Sequence, residues 1–179
     1  MKKNFWTVIF LILVVSQLTT AQEIKQPTTG LPVEKLGAFV GKWNGKGELV
    51  NSAYSKAQTV SAETDCNWSA NHGFLICDQT VHLTDGNQND LSVYTYNEKD
   101  HSYAFFGHSR NDSQVRTPKL TIEGNFWTYF TEFDDGPKHI RIRTINEFKT
   151  PSLVTYRTEF SEDGTNWKPM GSGSMTREK

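Results

Sequence analysis

From Gly41 onward hydrophobicity alternates with a period of two, the signature of strands with one face buried. Eleven segments carry it: 41–50, 57–68, 74–83, 91–97, 102–108, 114–118, 119–123, 126–133, 139–148, 153–160 and 167–177. They are rich in β-branched and aromatic side chains. Between them stand Asp85-Gly86, Gly124-Asn125, Asp135-Gly136 and Asp163-Gly164, dipeptides that supply the positive φ of tight hairpin turns. Connections this short join antiparallel neighbours, because a parallel crossover needs about a dozen residues or more. The pattern excludes a doubly wound α/β fold and predicts an all-β antiparallel meander of about ten strands. Closing that meander into a single up-and-down β-barrel removes its exposed edges.

The residues before Gly41 read as three pieces. Lys2 and Lys3, the apolar run from Phe5 to Val15 and the small residues Thr19-Thr20-Ala21 have the form of a secretory signal peptide over 1–21. The alternative, a membrane anchor, needs about 20 apolar residues and the run is shorter. No Cys follows it, which argues against a lipid anchor. Residues 22–31, polar with Pro27 and Gly30, read as a flexible lead-in. Pro32 suits a helix start, and Leu36, Phe39 and Val40 would share one face of a short helical turn. The barrel domain is then 32–179, exported to a periplasm or the extracellular space with no membrane anchor after cleavage. Cleavage removes two of the 19 basic side chains and none of the 20 acidic ones. A slightly acidic chain does not predict a nucleic-acid partner, and the cluster His139-Ile140-Arg141-Ile142-Arg143 is too short to form a basic stripe.

Both cysteines lie in the mature chain. A hairpin centred on Asn71 and His72 sets Trp68 opposite Leu75 and Cys66 opposite Cys77. Directly opposed residues in a non-hydrogen-bonded pair come close enough for a disulfide, and an exported chain meets an oxidising compartment. The alternative is a pair of buried free thiols. The spacing excludes a Cys-x-x-Cys redox motif.

Register also groups the aromatics. A loop around Lys99-Asp100 pairs Tyr96 with Tyr103 and Tyr94 with Phe105, making one aromatic face that is either core or pocket wall. A four-residue loop over 134–137 puts Trp127, Tyr129, Ile140 and Ile142 on one face and Phe130, His139, Arg141 and Arg143 on the other. Either the isoleucines face inward and the arginines meet water, or Arg141 and Arg143 face inward and hold a ligand carboxylate by paired hydrogen bonds. An inward Arg is costly unless paired, and the alternative to a ligand is structural partnership with the group Glu132, Arg157 and Glu159.

The stretch Gly41-Lys42-Trp43-Asn44-Gly45-Lys46-Gly47, with Arg177 near the other end, resembles the way lipocalin-like (calycin) barrels fasten their termini. That resemblance implies that Trp43 closes the barrel bottom and Arg177 packs across its indole, a cation–π and hydrogen-bonded plug. With Cys66-Asn67-Trp68, Phe74-Leu75-Ile76-Cys77-Asp78 and Phe160-Ser161-Glu162-Asp163-Gly164-Thr165-Asn166-Trp167, the whole mature chain resembles a bacterial secreted family of unknown function within that superfamily. Gly-x-Trp-x-Gly-x-Gly is also similar to the start of nitrobindin-type haem barrels, which bind iron through a His near the C-terminus. Here the last His is His139, so the haem reading lacks its axial ligand and no cofactor is expected.

Catalytic motifs are not legible. His72, His82, His101, His108 and His139 show no i, i+2 strand pair for a metal, although His101 and Tyr103 share a strand face. There is no Gly-x-Ser-x-Gly, phosphate loop or His-Glu-x-x-His. The segment from Ser161 to Trp167 resembles the Asp-box of sialidase propellers but is one residue short and occurs once; the simpler reading is a hairpin turn. The expectation is non-catalytic binding of a small hydrophobic or amphipathic ligand, with Tyr94, Tyr96, Tyr103, Phe105, Trp127, Tyr129, Arg141 and Arg143 as candidate contacts. The rivals are a barrel isomerase or hydrolase with a polar lumen, and a filled barrel serving as a protein-interaction module.

Overall fold

The computed structural model describes residues 31–110 and 114–179. The expected signal peptide over 1–21 and all but the last residue of the lead-in lie outside them. A 3₁₀ helix, Pro32–Phe39, precedes β1 (Gly41–Leu49), β2 (Gln58–Trp68), β3 (Leu75–Leu83), β4 (Gly86–Asn97), β5 (Ser102–Ser109), β6 (Val115–Arg116), β7 (Lys119–Glu123), β8 (Phe126–Asp135), β9 (Lys138–Thr150), β10 (Leu153–Ser161) and β11 (Lys168–Arg177). Each strand is antiparallel to its neighbours, β4 pairs with β5, and β1 pairs with β11. The result is a closed ten-stave antiparallel barrel of lipocalin-like form. The tenth stave is β6 and β7 together. Gly107↔Arg116 and Tyr103↔Leu120 obey one register, and the interruption falls at Thr117-Pro118, where proline has no N–H to give the ladder.

Two departures from the sequence reading bear on the site. β4 begins at Gly86 instead of 91, because Asn87, Gln88, Asn89 and Asp90 carry no apolar alternation although they pair fully with β3. The β8–β9 turn is tighter than expected, with Asp135 paired to Lys138. That shift is two residues, so the faces are preserved: Ile140 is wholly buried and Arg141 and Arg143 lie outside. The segment from Ser161 to Trp167 is a hairpin turn. The Asp163 carboxylate accepts from the Thr165 and Asn166 backbone N–H groups and from the Asn166 side chain, which holds its pKa well below the usual carboxylate range.

The core gathers at one end. Three-residue spacing puts Leu36 and Phe39 on one face of the 3₁₀ helix, and both are buried. Phe39 meets Trp127 and Phe148 edge-on, at centroid distances of 4.8 and 4.9 Å. Burying each such side chain stabilises by about 2–3 kcal/mol. The strand-end residues fix this plug. The Trp43 Nε1–H donates to the Phe39 carbonyl at 2.8 Å, and the Arg177 Nη2 donates to the Ala38 carbonyl at 2.5 Å. The Arg177 guanidinium carbon lies 4.7 Å from the Trp43 ring centroid, and the two residues are partners in the β1–β11 ladder. They therefore close the barrel and cap the helix's last carbonyls at once. Gly41, at φ 108°, starts β1 in a conformation that L side chains rarely adopt, with the Arg177 aliphatic stem beside it.

Cys66 and Cys77 are joined, opposite each other in the β2–β3 ladder with Cα atoms 4.0 Å apart. The crosslink spans 11 residues. A loop of that length removes about 2–3 kcal/mol of unfolded-state entropy. Denaturant titration with and without reductant is expected to show a loss of that size, with an unchanged β signal in the folded baseline.

Candidate functional site

Above the aromatic plug the inward side chains leave a cavity of about 580 Å³, within the usual range for small-molecule sites. Its floor is Tyr94, Phe105 and Tyr129, whose rings pack edge-on at 4.9 Å (Tyr94–Phe105) and 5.4 Å (Phe105–Tyr129). Thr64 and Gln79, bonded at 2.9 Å, and Thr144 and Thr158, at 3.0 Å, line the walls. Toward the end away from the helix stand Gln88, Asp90 and Arg116, with the Gln88 amide donating to both Asp90 oxygens at 2.8 and 3.0 Å. The cavity is thus aromatic below, hydroxyl-lined in the middle and charged at the mouth. A second hollow of about 660 Å³ lies over the outward side chains of β1 to β5. It carries Lys42, Glu63, Asp65, Asp78, His108 and Arg110, charges of both signs on an outer surface.

Tyr129 donates its hydroxyl to that of Tyr94 at 3.4 Å. Burial pushes the Tyr94 phenol up to about 12, and burial with the neighbouring Tyr94 raises Tyr129 well above its ordinary value. Both are neutral hydrogen-bonding groups at physiological pH. The unfolded chain ionises Tyr94 near pH 10 and the folded chain only near 12, so stability is fully present below pH 10 and falls as pH rises to 12. The loss from Tyr94 is on the order of 3 kcal/mol. Unfolding titrations at pH 9 to 12 are expected to show this decline, and Tyr94→Phe to lessen it while the share from Tyr129 remains.

Of the candidate contacts, Tyr94, Phe105 and Tyr129 line the cavity. Tyr96 and Tyr103 pack together at the closed end, and the Tyr103 hydroxyl donates to the Pro32 carbonyl at 2.9 Å, tying down the helix. Trp127 is wholly buried beneath the cavity against Phe39. Arg141 and Arg143 are corrected outright. Alternation turns them to the outer face, where Arg141 pairs with Glu132 at 2.9 Å, and Arg143 pairs with Glu159 at 2.7 Å and stacks on Trp167 at 3.9 Å. They cannot clamp a carboxylate in the lumen.

Of the histidines, His108 borders the cavity. His72 and His101 are in turns, while His82, His108 and His139 alternate outward. Among the described residues no three His, Cys, Asp or Glu side chains group as a metal site.

The sequence matches no family model and no curated protein. Solved structures do resemble the fold. Rv2717c from M. tuberculosis superposes with a TM-score of 0.58 at 10% identity, over 83% of this chain and 99% of that one. The S-type phycobiliprotein lyase CPES from Guillardia theta gives 0.56 at 12% identity, over 82% of this chain and 92% of that one. At such identities the likeness is one of fold, and function must be argued from the site.

The sequence reading missed Asn146 and Tyr156, which both line the cavity. Asn146 was accessible to it, since it continues the inward alternation of Ile140 and Ile142. Gln88, Asp90 and Arg116 carried no such signal, because polar residues facing a polar mouth read as loop.

Proposed function

We propose that this protein is exported and binds a small amphipathic molecule in its barrel, as a member of a secreted lipocalin-like family. The observation that carries the reading is the cavity itself: a filled barrel, the requirement of a pure interaction module, would leave no room for it. The signal-like N-terminus and the Cys66–Cys77 disulfide support export, since such crosslinks persist in oxidising compartments. Among the described residues no helix is long and apolar enough to cross a membrane.

A catalytic lumen is the weaker reading. Besides Tyr94, Tyr129 and Tyr156, the ionisable side chains that border the cavity are Lys46, Asp90, His108 and Arg116; Lys46 and His108 alternate outward, and Asp90 is already held by Gln88. One neighbour bears the name of a phycobiliprotein lyase, but at 12% identity that reaction does not transfer. The oxidised mature protein from an exporting host, weighed by native mass spectrometry, is expected to carry a reproducible extra mass that leaves on denaturation. A clean apo mass from several hosts, with no small-molecule probe bound, would remove the proposal.

A further inference from the structure

The lumen-binding reading, on which this inference rests, leaves open what chemistry the lumen recognises. Asn146 on β9 stands between Trp127 of β8 and Tyr156 of β10 in the ladder, and all three side chains alternate inward. Directly opposed residues on one face have Cβ atoms about 5 Å apart, so the three form a contiguous row. Asn146 is 7% exposed and lines the cavity, yet its amide makes no hydrogen bond among the described residues. The Tyr156 hydroxyl lies over Gly47 and Gly173 in the same cavity, also without a hydrogen bond among them. Beside them the Trp127 Nε1–H is buried with no partner. Leaving a buried polar group unsatisfied costs about 1–3 kcal/mol. Several other polar residues of the lumen are paired: Thr64 with Gln79, Thr144 with Thr158, Gln88 with Asp90, Tyr94 with Tyr129. Trp127, Asn146 and Tyr156 thus bring three unpaired polar groups together in one row.

We infer that Asn146 and Tyr156 form a deep polar subsite that takes a neutral ligand group bearing a carbonyl, such as an amide, lactam or hydroxy-ketone edge. The Asn146 amide presents an acceptor and a donor side by side, and the phenol can do either. An anionic head does not suit this depth. Arg141 and Arg143 are outside, and Arg177 is engaged under Trp43. Arg116, paired in register with Gly107, sits toward the mouth. An unpaired carboxylate buried here would cost far more than a neutral carbonyl. The ligand therefore enters neutral end first and leaves any charged group at the Asp90 and Arg116 mouth.

The test uses the oxidised mature protein and two fluorescent probes: 6-propionyl-2-(dimethylamino)naphthalene, a neutral aromatic ketone, and 8-anilinonaphthalene-1-sulfonate, an aromatic anion. The ketone is expected to bind wild type more tightly than the sulfonate. Asn146→Leu, which conserves volume, and Tyr156→Phe, which removes only the hydroxyl, should each weaken the ketone about tenfold and leave the sulfonate unchanged. Tyr156→Phe keeps the ring over the glycines, so its loss cannot be ascribed to misfolding if its circular dichroism matches wild type. Equal ketone affinity in wild type and both variants would overturn the subsite while sparing the lumen reading. Tighter sulfonate binding that both variants weaken would overturn the neutral-head assignment. If neither probe binds wild type and native spectra show no adduct, the lumen reading and the subsite both fall.

Discussion

Gly173→Ala is expected to abolish the stable barrel or to lower its stability by more than about 3 kcal/mol. A Cβ at Gly173 would overlap the Lys46 carbonyl oxygen and would lie 2.6 Å from the Tyr156 hydroxyl and 2.7 Å from the Gly47 Cα. Two of those three are backbone atoms of the neighbouring strand, so a rotamer change cannot relieve them. β1 and β11 would have to separate at the seam where the first and last strands join. Gly47→Ala meets the same obstruction from the other side, with the Ser172 carbonyl oxygen at 2.5 Å and the Tyr156 hydroxyl overlapping. Gly45→Ala is the control within the same motif. Its Cβ would touch the Ala62 Cβ and the Met175 Cγ at 3.4 Å, ordinary side-chain contacts. Urea midpoints for the three variants should rank Gly45→Ala near wild type and the other two far below. Similar midpoints for all three would show that the β1–β11 seam is not a close-packed constraint. Tyr156→Phe should not rescue Gly173→Ala, because the Lys46 carbonyl remains.

This contrast also shows what was legible in the sequence. Period-two alternation and Asp-Gly turns were enough for a closed meander, since the strands' apolar residues face a shared interior and the turn chemistry fixes neighbours. The same parity rule found the Cys66–Cys77 pair and the Tyr94–Phe105 face. It found the inward isoleucines of β9 too, because a two-residue error in the turn leaves faces unchanged. The lumen was harder for a physical reason. Apolar patterning reports what packs, and a ligand cavity is where packing stops. Gln88 and Asp90 face inward but read as loop, and Asn146 reads as a break in an apolar face. Conversely Tyr103 and Trp127 carry the strongest aromatic signal yet serve the plug. The glycines of the first strand are a different case. Their spacing is visible, but only the β11 partner and Tyr156, more than a hundred residues away, explain why Gly47 tolerates nothing larger.

Trp43→Ala is expected to cost about 3–5 kcal/mol, well above the cost of Arg177→Ala, although the two residues form one cluster. Trp43 is 1% exposed, packs its indole against Phe39 and Phe148, and donates its N–H to the helix's last carbonyl. Removing it empties a large volume at the centre of the plug and leaves the Phe39 carbonyl without its donor. Arg177 contributes differently. Its cation–π contact is worth about 1–2 kcal/mol when partly desolvated. Against that stands a buried Nε with no partner among the described residues, and burial pushes the guanidinium pKa down from its ordinary value. A half-satisfied buried charge returns little net stability when kept and little is lost when it goes. Trp43→Phe separates the two parts of the Trp contribution, keeping an aromatic ring under the guanidinium while losing the N–H bond, and should fall between wild type and Trp43→Ala. Because the 3₁₀ helix is held by that bond and by Arg177, amide exchange at Leu36 to Val40 should accelerate in Trp43→Phe before global stability changes much. A larger cost for Arg177→Ala than for Trp43→Ala would place the latch in the charge and refute a plug built on buried aromatic volume.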